Sequence, residues 1–389
     1  MPTNRYSGSG LGRAFHALTD RLRDARGAVR DRVTTRPDFV RFAARVPGLR
    51  SIARGRARDV FDLCAGFVYS QTLLACIETD LLSALAEAPC ERTALEARLR
   101  MSPERAARLL GAARALGLVE TRSGDRYGLG PLGAAVLANP GVIAMIHHHR
   151  MLYTDLADPV GLLRSDRIDT QMSTYWSYAT SDTPGGLPAE DVADYSALMA
   201  ASQSLVAAQV LDAYPIGRHA ALLDVGGGLG AFVTAAAARA PDLRLAVFDL
   251  PGVLEGTRAR LRAHALEDRV ELAPGDFFAD PLPEGFDVVS LVRIVHDHDD
   301  EPVRRLLARV RAAMAPGATL LVAEPMAETP SAPTVGEVYF AFYLLAMGSG
   351  RARSPRALTR MLEESGFGDV RLLPTDLPLQ ARVLIATAV

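Results

Sequence analysis

Lysine is absent from this 389-residue sequence, so all 43 of its basic residues are arginine. Arginine clusters are therefore common along the chain, and a cluster alone is weak evidence for a nucleic-acid interface. The formal net charge is −2, and the charge of the whole chain does not point to nucleic acid or to any acidic partner.

Cysteine and long apolar runs are also scarce. Cys64, Cys76 and Cys90 are an odd number without metal-ligand spacing, which argues against a disulfide framework and predicts reduced thiols. No run of eighteen or more uninterrupted apolar residues occurs, and the N-terminus lacks the short apolar core of a secretory signal. These absences predict a cytoplasmic protein.

Glutamate is missing from residues 1–60, where 14 arginines stand against 5 aspartates. We interpret residues 1–57 as a basic N-terminal arm that could contact anionic lipid at the inner membrane, or a partner. A solvated arm, or extra helices without a partner, is the alternative interpretation of the same composition.

Residues 58–205 are predicted to form a mostly helical, winged-helix-like domain. In "MSPERAARLLGAARALGLVE", Ser102 suits the N-cap, Pro103 the first helical position and Gly117 the helix end. "VETRSGDRYGLG" then provides two extended runs around Ser-Gly-Asp. A winged helix can bind DNA, but the same fold serves unrelated functions, so a DNA-binding regulator is kept only as an alternative.

Residues 206–389 are predicted to form a Rossmann-like α/β domain. The segments that read as strands are "AALLDV", "LRLAVFDL", "RVEL", "FDVVSLVRIV", "ATLLVAEP" and "ARVLIATA". Continuous apolar strands that alternate with helical patterns indicate a parallel sheet covered on both faces. The predicted fold class is therefore α/β, preceded by the helical domain.

The motif "LLDVGGGLGAF" places Gly226 and Gly228 where the first strand of this domain turns into a helix. Glycines at such a turn let the backbone bend tightly and approach a ligand closely. The same residues also satisfy the dinucleotide fingerprint, with Asp249 at a distance suited to a ribose. A NAD-dependent dehydrogenase is therefore an alternative at this point.

Two features favour S-adenosylmethionine over a dinucleotide. Asp224 stands directly before the glycines, and "GDFF" follows the third strand. In that motif Asp276 is a candidate acceptor for an adenine amino group, and Phe277 is a candidate apolar platform against the ring. Asp249 would then accept hydrogen bonds from both ribose hydroxyls.

Taken together, "LLDVGGGLG", "FDLPGV", "GDFF", "RIVHDHDDE" and "LLVAEPM" resemble, in order and spacing, the plant-type small-molecule O-methyltransferases over roughly residues 60–389. The resemblance implies S-adenosylmethionine as cofactor, and a homodimer joined through the winged-helix region rather than a nucleic-acid complex. Within the family, "RARDVFDLCAGFVYSQTLLAC" and "VYFAFYLLAMGSGRARS" are most similar to the bacterial hydroxycarotenoid (demethylspheroidene-type) enzymes. Those methylate the tertiary C1 hydroxyl of acyclic carotenoids; a phenolic or polyketide acceptor is the alternative.

The resemblance implies His296 as the general base, and imidazole titrates in the right range for that role. It implies Glu324 as the acid that fixes the imidazole tautomer and stabilises the imidazolium. A second glutamate of the family is replaced here by Ala352, and His298 stands where plant members have tryptophan. A tertiary alcohol is weakly acidic, so proton removal is expected to accompany or follow carbon–oxygen bond formation.

A metal site is the competing interpretation of "VHDHDDE". His296 and His298 would project to one face of an extended backbone, as in some zinc sites. The acids have a sufficient structural role, however, because Asp300 suits the N-cap of the next helix and the helix N-terminus favours negative charge. No metal is therefore expected. Residues 147–149, three consecutive histidines, cannot all face one way on a helix and are placed beside the substrate cleft or at the surface.

Residues 338–347, "VYFAFYLLAM", carry four aromatic side chains on a predicted helix. They are either core or the wall of a long apolar pocket. Four further residues could close the same cavity: Met172, Trp176, Tyr195 and Met199.

Overall fold

The computed structural model of the protein describes residues 10–165, 169–175, 189–330, 332–378 and 381–389. Two compact units are present, Met1–Cys76 and Ile77–Val389. The division into 1–57, 58–205 and 206–389 stays a prediction, because compactness and family domains need not share boundaries.

The N-terminal unit is built from helices. They are α1 (Gly10–Thr34), α2 (Pro37–Ala43) and α3 (Pro47–Glu78). Ala43 is buried, but most of the side chains described in this unit are exposed. The unit therefore has little core of its own.

Helix α3 differs from the expectation that no segment has membrane-spanning character. Asp62, Ser70 and Gln71 interrupt the apolar run, but by length and composition the helix is apolar enough to cross a membrane. In its second half the large exposed apolar side chains are Val60, Phe61, Leu63, Phe67 and Val68. One such helix is weak evidence for a span, because a helix that packs against another protein surface has the same composition.

A helical region with a small hairpin follows. Its elements are α4 (Leu81–Glu87), α5 (Arg92–Leu99), α6 (Pro103–Ala115), β1 (Val119–Thr121), β2 (Tyr127–Leu129), α7 (Pro131–Leu137), α8 (Pro140–Asp155), α9 (Pro159–Arg164), α10 (Gln171–Tyr175) and α11 (Ala189–Ala213). The hydroxyl of Ser102 accepts a hydrogen bond from the amide of Arg105, and Gly117 is left-handed just after α6. β1 and β2 pair antiparallel. The predicted helix, its caps and the hairpin are therefore confirmed.

The second half of the chain forms a seven-stranded sheet. Its strands are β3 (Ala221–Val225), β4 (Arg244–Asp249), β5 (Val270–Pro274), β6 (Val288–Val292), β7 (Thr319–Glu324), β8 (Phe367–Leu373) and β9 (Arg382–Ala388), in the order β5-β4-β3-β6-β7-β9-β8. The helices between them are α12 (Ala231–Arg239), α13 (Pro251–Ala263), α14 (Asp300–Ala313), α15 (Ala341–Met347) and α16 (Pro355–Glu364). The α/β fold class is confirmed.

Two details of the sheet differ from the prediction. The terminal strand β9 pairs antiparallel with both β7 and β8, so the sheet is mixed rather than wholly parallel. The edge strand β8 was not predicted from the sequence, because only Phe367 of its side chains is buried and it has no continuous apolar run.

The core of this domain occupies both faces of the sheet. On one face α14 and α16 pack through Val303, Leu306 and Leu358. On the other face α11, α12 and α13 pack against the strands, with Val210 and Phe232 fully buried. The sheet is thereby held between two apolar layers, which leaves its strand ends as the place for polar side chains.

Candidate active site

The predicted site residues lie where neighbouring parallel strands end. Gly226 and Gly228 follow β3, Asp249 ends β4, and Glu324 ends β7. The carboxyl ends of parallel strands meet at one edge of a sheet, and ligands of open α/β folds bind there. The fold thus brings to one edge residues that are far apart in the sequence.

The glycine loop after β3 has a backbone conformation that is unfavourable for residues other than glycine. Gly226 and Gly228 have φ angles of +69° and +55°, in the left-handed region. A Cβ at position 226 would lie 2.6 Å from Cδ1 of Ile294 and 3.6 Å from a ring carbon of Phe277. Glycine is therefore required at 226 both by its φ and by the closeness of Ile294.

Asp249 fixes the other side of this loop. Its carboxylate accepts hydrogen bonds of 2.7 Å from the amides of Gly228 and Leu250. Burial raises the pKa of Asp249 to about 6, and these two amides counteract part of that rise. Each oxygen of a carboxylate can accept a further hydrogen bond, so the predicted contact with ribose hydroxyls is compatible with this geometry.

Asp224 lies buried beneath the loop, inside β3. Its Oδ1 accepts a hydrogen bond of 2.6 Å from the hydroxyl of Ser290. Its Oδ2 is buried and has no hydrogen-bond partner among the described residues. Burial raises the pKa of Asp224 to about 7, against a lowering by Ser290. The group therefore tends to keep a proton where an ordinary aspartate is ionised.

The loop after β5 carries Asp276 and Phe277. Asp276 accepts a hydrogen bond of 2.7 Å from the amide of Phe278, and its own amide donates to Asp280. The ring of Phe277 stands edge-on to Phe278, with centroids 4.7 Å apart, and lies beside Gly226. Phe277 therefore joins the glycine loop, whereas the carboxylate of Asp276 shapes its own turn.

His296 lies in a 3-10 turn, Val295–Asp297, and not at the strand end as its sequence position suggested. Strand β6 stops at Val292 because Arg293 adopts a left-handed φ of +60°. The turn then points the imidazole back toward the sheet, where Nδ1 lies 2.5 Å from Oε2 of Glu324.

Glu324 holds the backbone of the same turn as well as the ring. Its Oε1 accepts hydrogen bonds of 3.0 Å from the amide of Ile294 and 2.7 Å from that of Val295. The side chain is 1% exposed, so these contacts take the place of water around the carboxylate. One carboxylate therefore fixes both the position of His296 and its orientation.

The charges around His296 favour the protonated form of its imidazole. Burial disfavours the imidazolium, but the carboxylates of Asp297 and Glu324 outweigh burial and raise the pKa of His296 above its usual 6.5. Nδ1 bonds Glu324, and Nε2 lies 3.1 Å from Oδ1 of Asp297, so each ring nitrogen has a carboxylate beside it that favours the imidazolium.

Arg353 supports this turn from the opposite side, which the sequence did not reveal. Its buried guanidinium donates to the carbonyls of Val295 (2.8 Å) and His298 (2.7 Å) and pairs with Asp300. In a chain whose basic residues are all arginine, nothing in "GSGRARS" marks this arginine as buried. Only its position next to Ala352, the replaced family glutamate, pointed to the region.

The start of α14 corrects one assignment. Asp299, and not Asp300, is the N-cap, and its side chain accepts a hydrogen bond from the amide of Gly350. Asp300 is the first helical residue and pairs with Arg351 and Arg353. Two guanidinium groups thus bind the carboxylate that was expected to cap the helix.

His298 behaves as an aromatic side chain. It stands edge-on to Phe277 and Phe278, with centroid distances of 5.7 and 5.1 Å. Burial, with further contributions from His296 and Arg353, lowers the pKa of His298 to about 4. The ring is therefore neutral near pH 7. Among the described residues no group of three or more potential metal ligands is found.

A cavity of about 190 Å³ adjoins His296. Its lining residues are mostly apolar, with a few polar groups beside the histidine: Asn139, Gly141, Val142, Met145, Met199, Ser202, Leu205, Val206, Arg293, His296, Asp297, Tyr339, Phe340 and Tyr343. The aromatic segment 338–347 thus contributes to the wall. Met172 packs in the adjoining apolar cluster, whereas Trp176 and the side chain of Tyr195 lie outside the described residues.

Two of the consecutive histidines contact this wall. Nε2 of His148 lies 3.0 Å from the hydroxyl of Tyr343, and Nε2 of His149 lies 2.8 Å from that of Tyr339. Burial lowers the pKa of both rings, to about 4 for His148. His147 is exposed. Neutral imidazoles therefore satisfy the tyrosine hydroxyls beside the cleft.

Comparison with known proteins identifies the class. An O-methyltransferase domain matches residues 153–368, and an O-methyltransferase dimerisation domain matches residues 61–139. The chain is 40% identical to demethylspheroidene O-methyltransferase of Cereibacter sphaeroides, covering 90% of this chain and 91% of that protein. It is 41% identical to the enzyme of the same name from Rhodobacter capsulatus, covering 88% and 85%.

Solved structures agree on the fold. Human N-acetylserotonin methyltransferase in complex with S-adenosylmethionine superposes with a TM-score of 0.70 at 25% identity, covering 85% of this chain and 97% of that one. The chain therefore belongs to the O-methyltransferase family. It has the class I methyltransferase fold, S-adenosylmethionine is the methyl donor of this family, and the dehydrogenase interpretation of the glycine loop falls away.

We predict that Asp224 makes stability depend on pH. Its folded pKa of about 7 exceeds its ordinary value of 3.8, so the unfolded chain holds fewer protons between those values. The free energy of unfolding should fall as pH rises from 4 to 7, by at most about 1.4 kcal/mol per pH unit from this group.

Denaturant unfolding of the ligand-free protein across that range measures this slope. Asp224→Asn should make it shallower, with the raised pKa of Asp249 still contributing, whereas Asp242→Asn, at an exposed aspartate, should leave it unchanged. An identical slope in wild type and Asp224→Asn would contradict the assignment.

Proposed function

We propose that the protein transfers a methyl group from S-adenosylmethionine to the terminal tertiary hydroxyl of a hydroxylated acyclic carotenoid. The two demethylspheroidene O-methyltransferases that share about two fifths of their residues with this chain, over nearly its whole length, support the acceptor class. The observation that carries the chemistry is the buried His296–Glu324 pair at the edge of a mostly apolar cavity.

The glycine loop fits the donor. A Cβ at Gly228 would meet no other atom within 4 Å, so the backbone there is open to a ligand, and the amide of Gly228 is fixed by its hydrogen bond to Asp249. Gly226, Gly228, Asp249 and Phe277 would hold the donor, with Asp276 at the adenine end. S-adenosylmethionine supplies a methyl group already activated on a sulfonium. The chain therefore has to align the acceptor oxygen and handle its proton.

His296 is the proton acceptor in this proposal. Nε2 takes the proton of the acceptor hydroxyl, and Glu324 stabilises the resulting imidazolium through Nδ1. A tertiary alcohol is too weak an acid to be ionised first by an imidazole. The proton therefore passes to Nε2 while the carbon–oxygen bond forms and the methyl–sulfur bond breaks, or afterwards from the protonated ether, which is strongly acidic.

The cavity suits the end of a long molecule. Ligand pockets of whole small molecules commonly measure about 300–1,000 Å³. The 190 Å³ bounded by the described residues is smaller, and its wall is rich in methionine and aromatic side chains. Such a space accepts a chain terminus with its hydroxyl, while the remainder of the polyene extends outside it.

The assembly and location are part of the proposal. The dimerisation domain supports a homodimer, and the exposed apolar face of α3 overlaps the start of that domain. Burial of this face against a second copy accounts for its composition. We place the enzyme in the cytoplasm, in peripheral contact with the inner membrane through its basic N-terminal arm.

A phenolic or polyketide acceptor is the second candidate. The chain is also 32% identical to 3-amino-4-hydroxybenzoate 4-O-methyltransferase of Streptomyces cremeus, over 85% of this chain and 90% of that one. The small aromatic-walled cavity is compatible with a compact aromatic acceptor as well.

We predict that the full-length protein, given labelled S-adenosylmethionine and a panel of acceptors, methylates acyclic 1-hydroxycarotenoids in detergent. Phenols of the hydroxybenzoate and naphthoate type complete the panel. Transfer confined to phenols would overturn the carotenoid assignment while leaving the donor and the base intact. No transfer to any hydroxyl, with the donor bound, would overturn the function as a whole.

We predict that His296→Ala abolishes turnover and leaves donor binding unchanged, because His296 lines the cavity proposed for the acceptor and not the glycine loop proposed for the donor. Turnover should fall by about 10²–10⁴-fold, the usual contribution of a positioned base. Steady-state rates and calorimetric titration with S-adenosylmethionine measure the two effects. His264→Ala, at an exposed histidine, is the matched control. Near-normal turnover in His296→Ala would exclude it as the base.

We predict that Glu324→Gln shifts the pH profile toward acid. The base acts when neutral, so the rate rises with pH through the pKa of His296, which the wild type holds above 6.5. Removing the negative charge lowers that pKa, and the midpoint of the acid limb should move down while kcat falls. Glu363→Gln, at an exposed glutamate, should change neither. A lowered kcat with an unmoved midpoint would show that Glu324 acts only through packing.

A further inference from the structure

Helix α1 carries a narrow apolar stripe that faces solvent. Leu22, Val29 and Val33 are 52%, 62% and 38% exposed. At 100° per residue these three positions fall within about 40° of one another around the helix. Leu22 also shares an open groove with arginines of the same helix. The stripe is therefore continuous with basic side chains, and not an isolated apolar residue.

From residue 20 onward, the charged residues of α1 are sorted around this stripe, whereas Arg13, near the start of the helix, falls on the acidic side by the same geometry. Arginines flank it on both sides, at about 40–100° from its centre: Arg21, Arg23, Arg26, Arg30 and Arg32. Aspartates occupy the opposite face, within about 20° of the point farthest from the stripe: Asp20, Asp24 and Asp31. Apolar side chains, a basic border and an acidic back thus occupy three separate sectors of one helix.

Ion pairs within the helix leave the arginines of this basic border available to other partners. Arg23 pairs with Asp20 at 3.4 Å and Arg30 with Asp31 at 2.8 Å, and all four side chains are more than half exposed. Exposed pairs of this kind contribute little and exchange readily for other partners. The arginines therefore remain available to an anionic surface.

Charge complementarity decides what covers the stripe. Residues 1–60 carry an excess of nine positive charges, and residues 61–389 carry 29 arginines against 40 acids. A second copy of α1 would bring like charges together. A nucleic-acid duplex would attract the arginines but leave Leu22, Val29 and Val33 in water. An anionic bilayer attracts the border and buries the stripe.

We propose that α1 lies in the plane of an anionic bilayer, with Leu22, Val29 and Val33 inserted among the lipid chains. The arginine stems extend over the apolar layer and their guanidinium groups reach the phosphates. Each arginine near such a surface raises the binding constant about fivefold. The aspartates face the aqueous side.

The use of this contact rests on the proposed function, because a polyene acceptor dissolves in the bilayer and not in water. Docking brings the enzyme to the phase that holds its acceptor. The contact itself depends only on α1 and the lipid, so it is tested without any methylation.

The test is co-sedimentation of the full-length protein with vesicles of phosphatidylcholine, with and without phosphatidylglycerol. Binding should require phosphatidylglycerol and weaken with salt. The triple variant Leu22→Gln/Val29→Gln/Val33→Gln should bind at least about tenfold more weakly, since three aliphatic groups no longer insert. The matched control is the exposed set Val160→Gln/Leu163→Gln/Leu377→Gln, which should bind as wild type.

A second measurement reports insertion. Tryptophan fluorescence of Val29→Trp should be quenched by brominated lipid beyond the quenching of wild type, and that of Asp24→Trp should not. Both variants and the triple variant should methylate a detergent-solubilised acceptor at the wild-type rate. If the wild type binds vesicles but does not methylate the acceptor, the proposed methylation of carotenoids is overturned and the docking is not.

The docking would be overturned by no sedimentation of the wild type, equal sedimentation of the triple variant, equal quenching at positions 24 and 29, or tighter binding to duplex DNA than to vesicles. Association of α1 with a second copy, detected as loss of self-association in the triple variant without vesicles, would overturn it too.

Discussion

The carboxylate of Glu324 is the contact on which the rest of the site depends. It ends a central strand, is almost wholly buried, and accepts hydrogen bonds from two successive amides and from the ring of His296. A buried carboxylate is costly unless such donors surround it, so the turn and the acid require each other. Arg353 closes the arrangement from the other side by binding the carbonyls of Val295 and His298. The imidazole is thereby fixed before any ligand arrives.

Much of this architecture was predictable because it is written in local patterns. Apolar strands, the glycine loop and the caps of α6 each follow from neighbouring residues, and the family motifs fixed their order. The pairing of His296 with Glu324 was predictable only through the resemblance, since the two are far apart in sequence. Their geometry, in which one acid serves both backbone and ring, belongs to the folded chain and has no sequence signal.

Where the structure differs from the prediction made from the sequence, the difference has a physical cause. Strand β8 lies at an edge and only Phe367 of its side chains is buried, so it lacked the apolar run that marked its neighbours. Asp300 is the first helical residue and not the cap, and its carboxylate pairs with the guanidinium groups of Arg351 and Arg353. Arg353 itself was hidden among 43 identical basic residues. The contacts of Asp300 and Arg353 join residues about fifty positions apart, so local sequence patterns did not reveal them.

Ile294 connects the glycine loop with the turn that carries His296. Its amide is held by Glu324, and its side chain fills the space where a Cβ at Gly226 would stand. The glycine loop and His296 thus follow the adjacent strands β3 and β6, and one side chain spaces them apart. The acceptor cavity is walled largely by α8, α11 and the helix around Tyr343. The wall of this cavity can therefore change while the strand ends that carry the glycine loop and His296 stay in place.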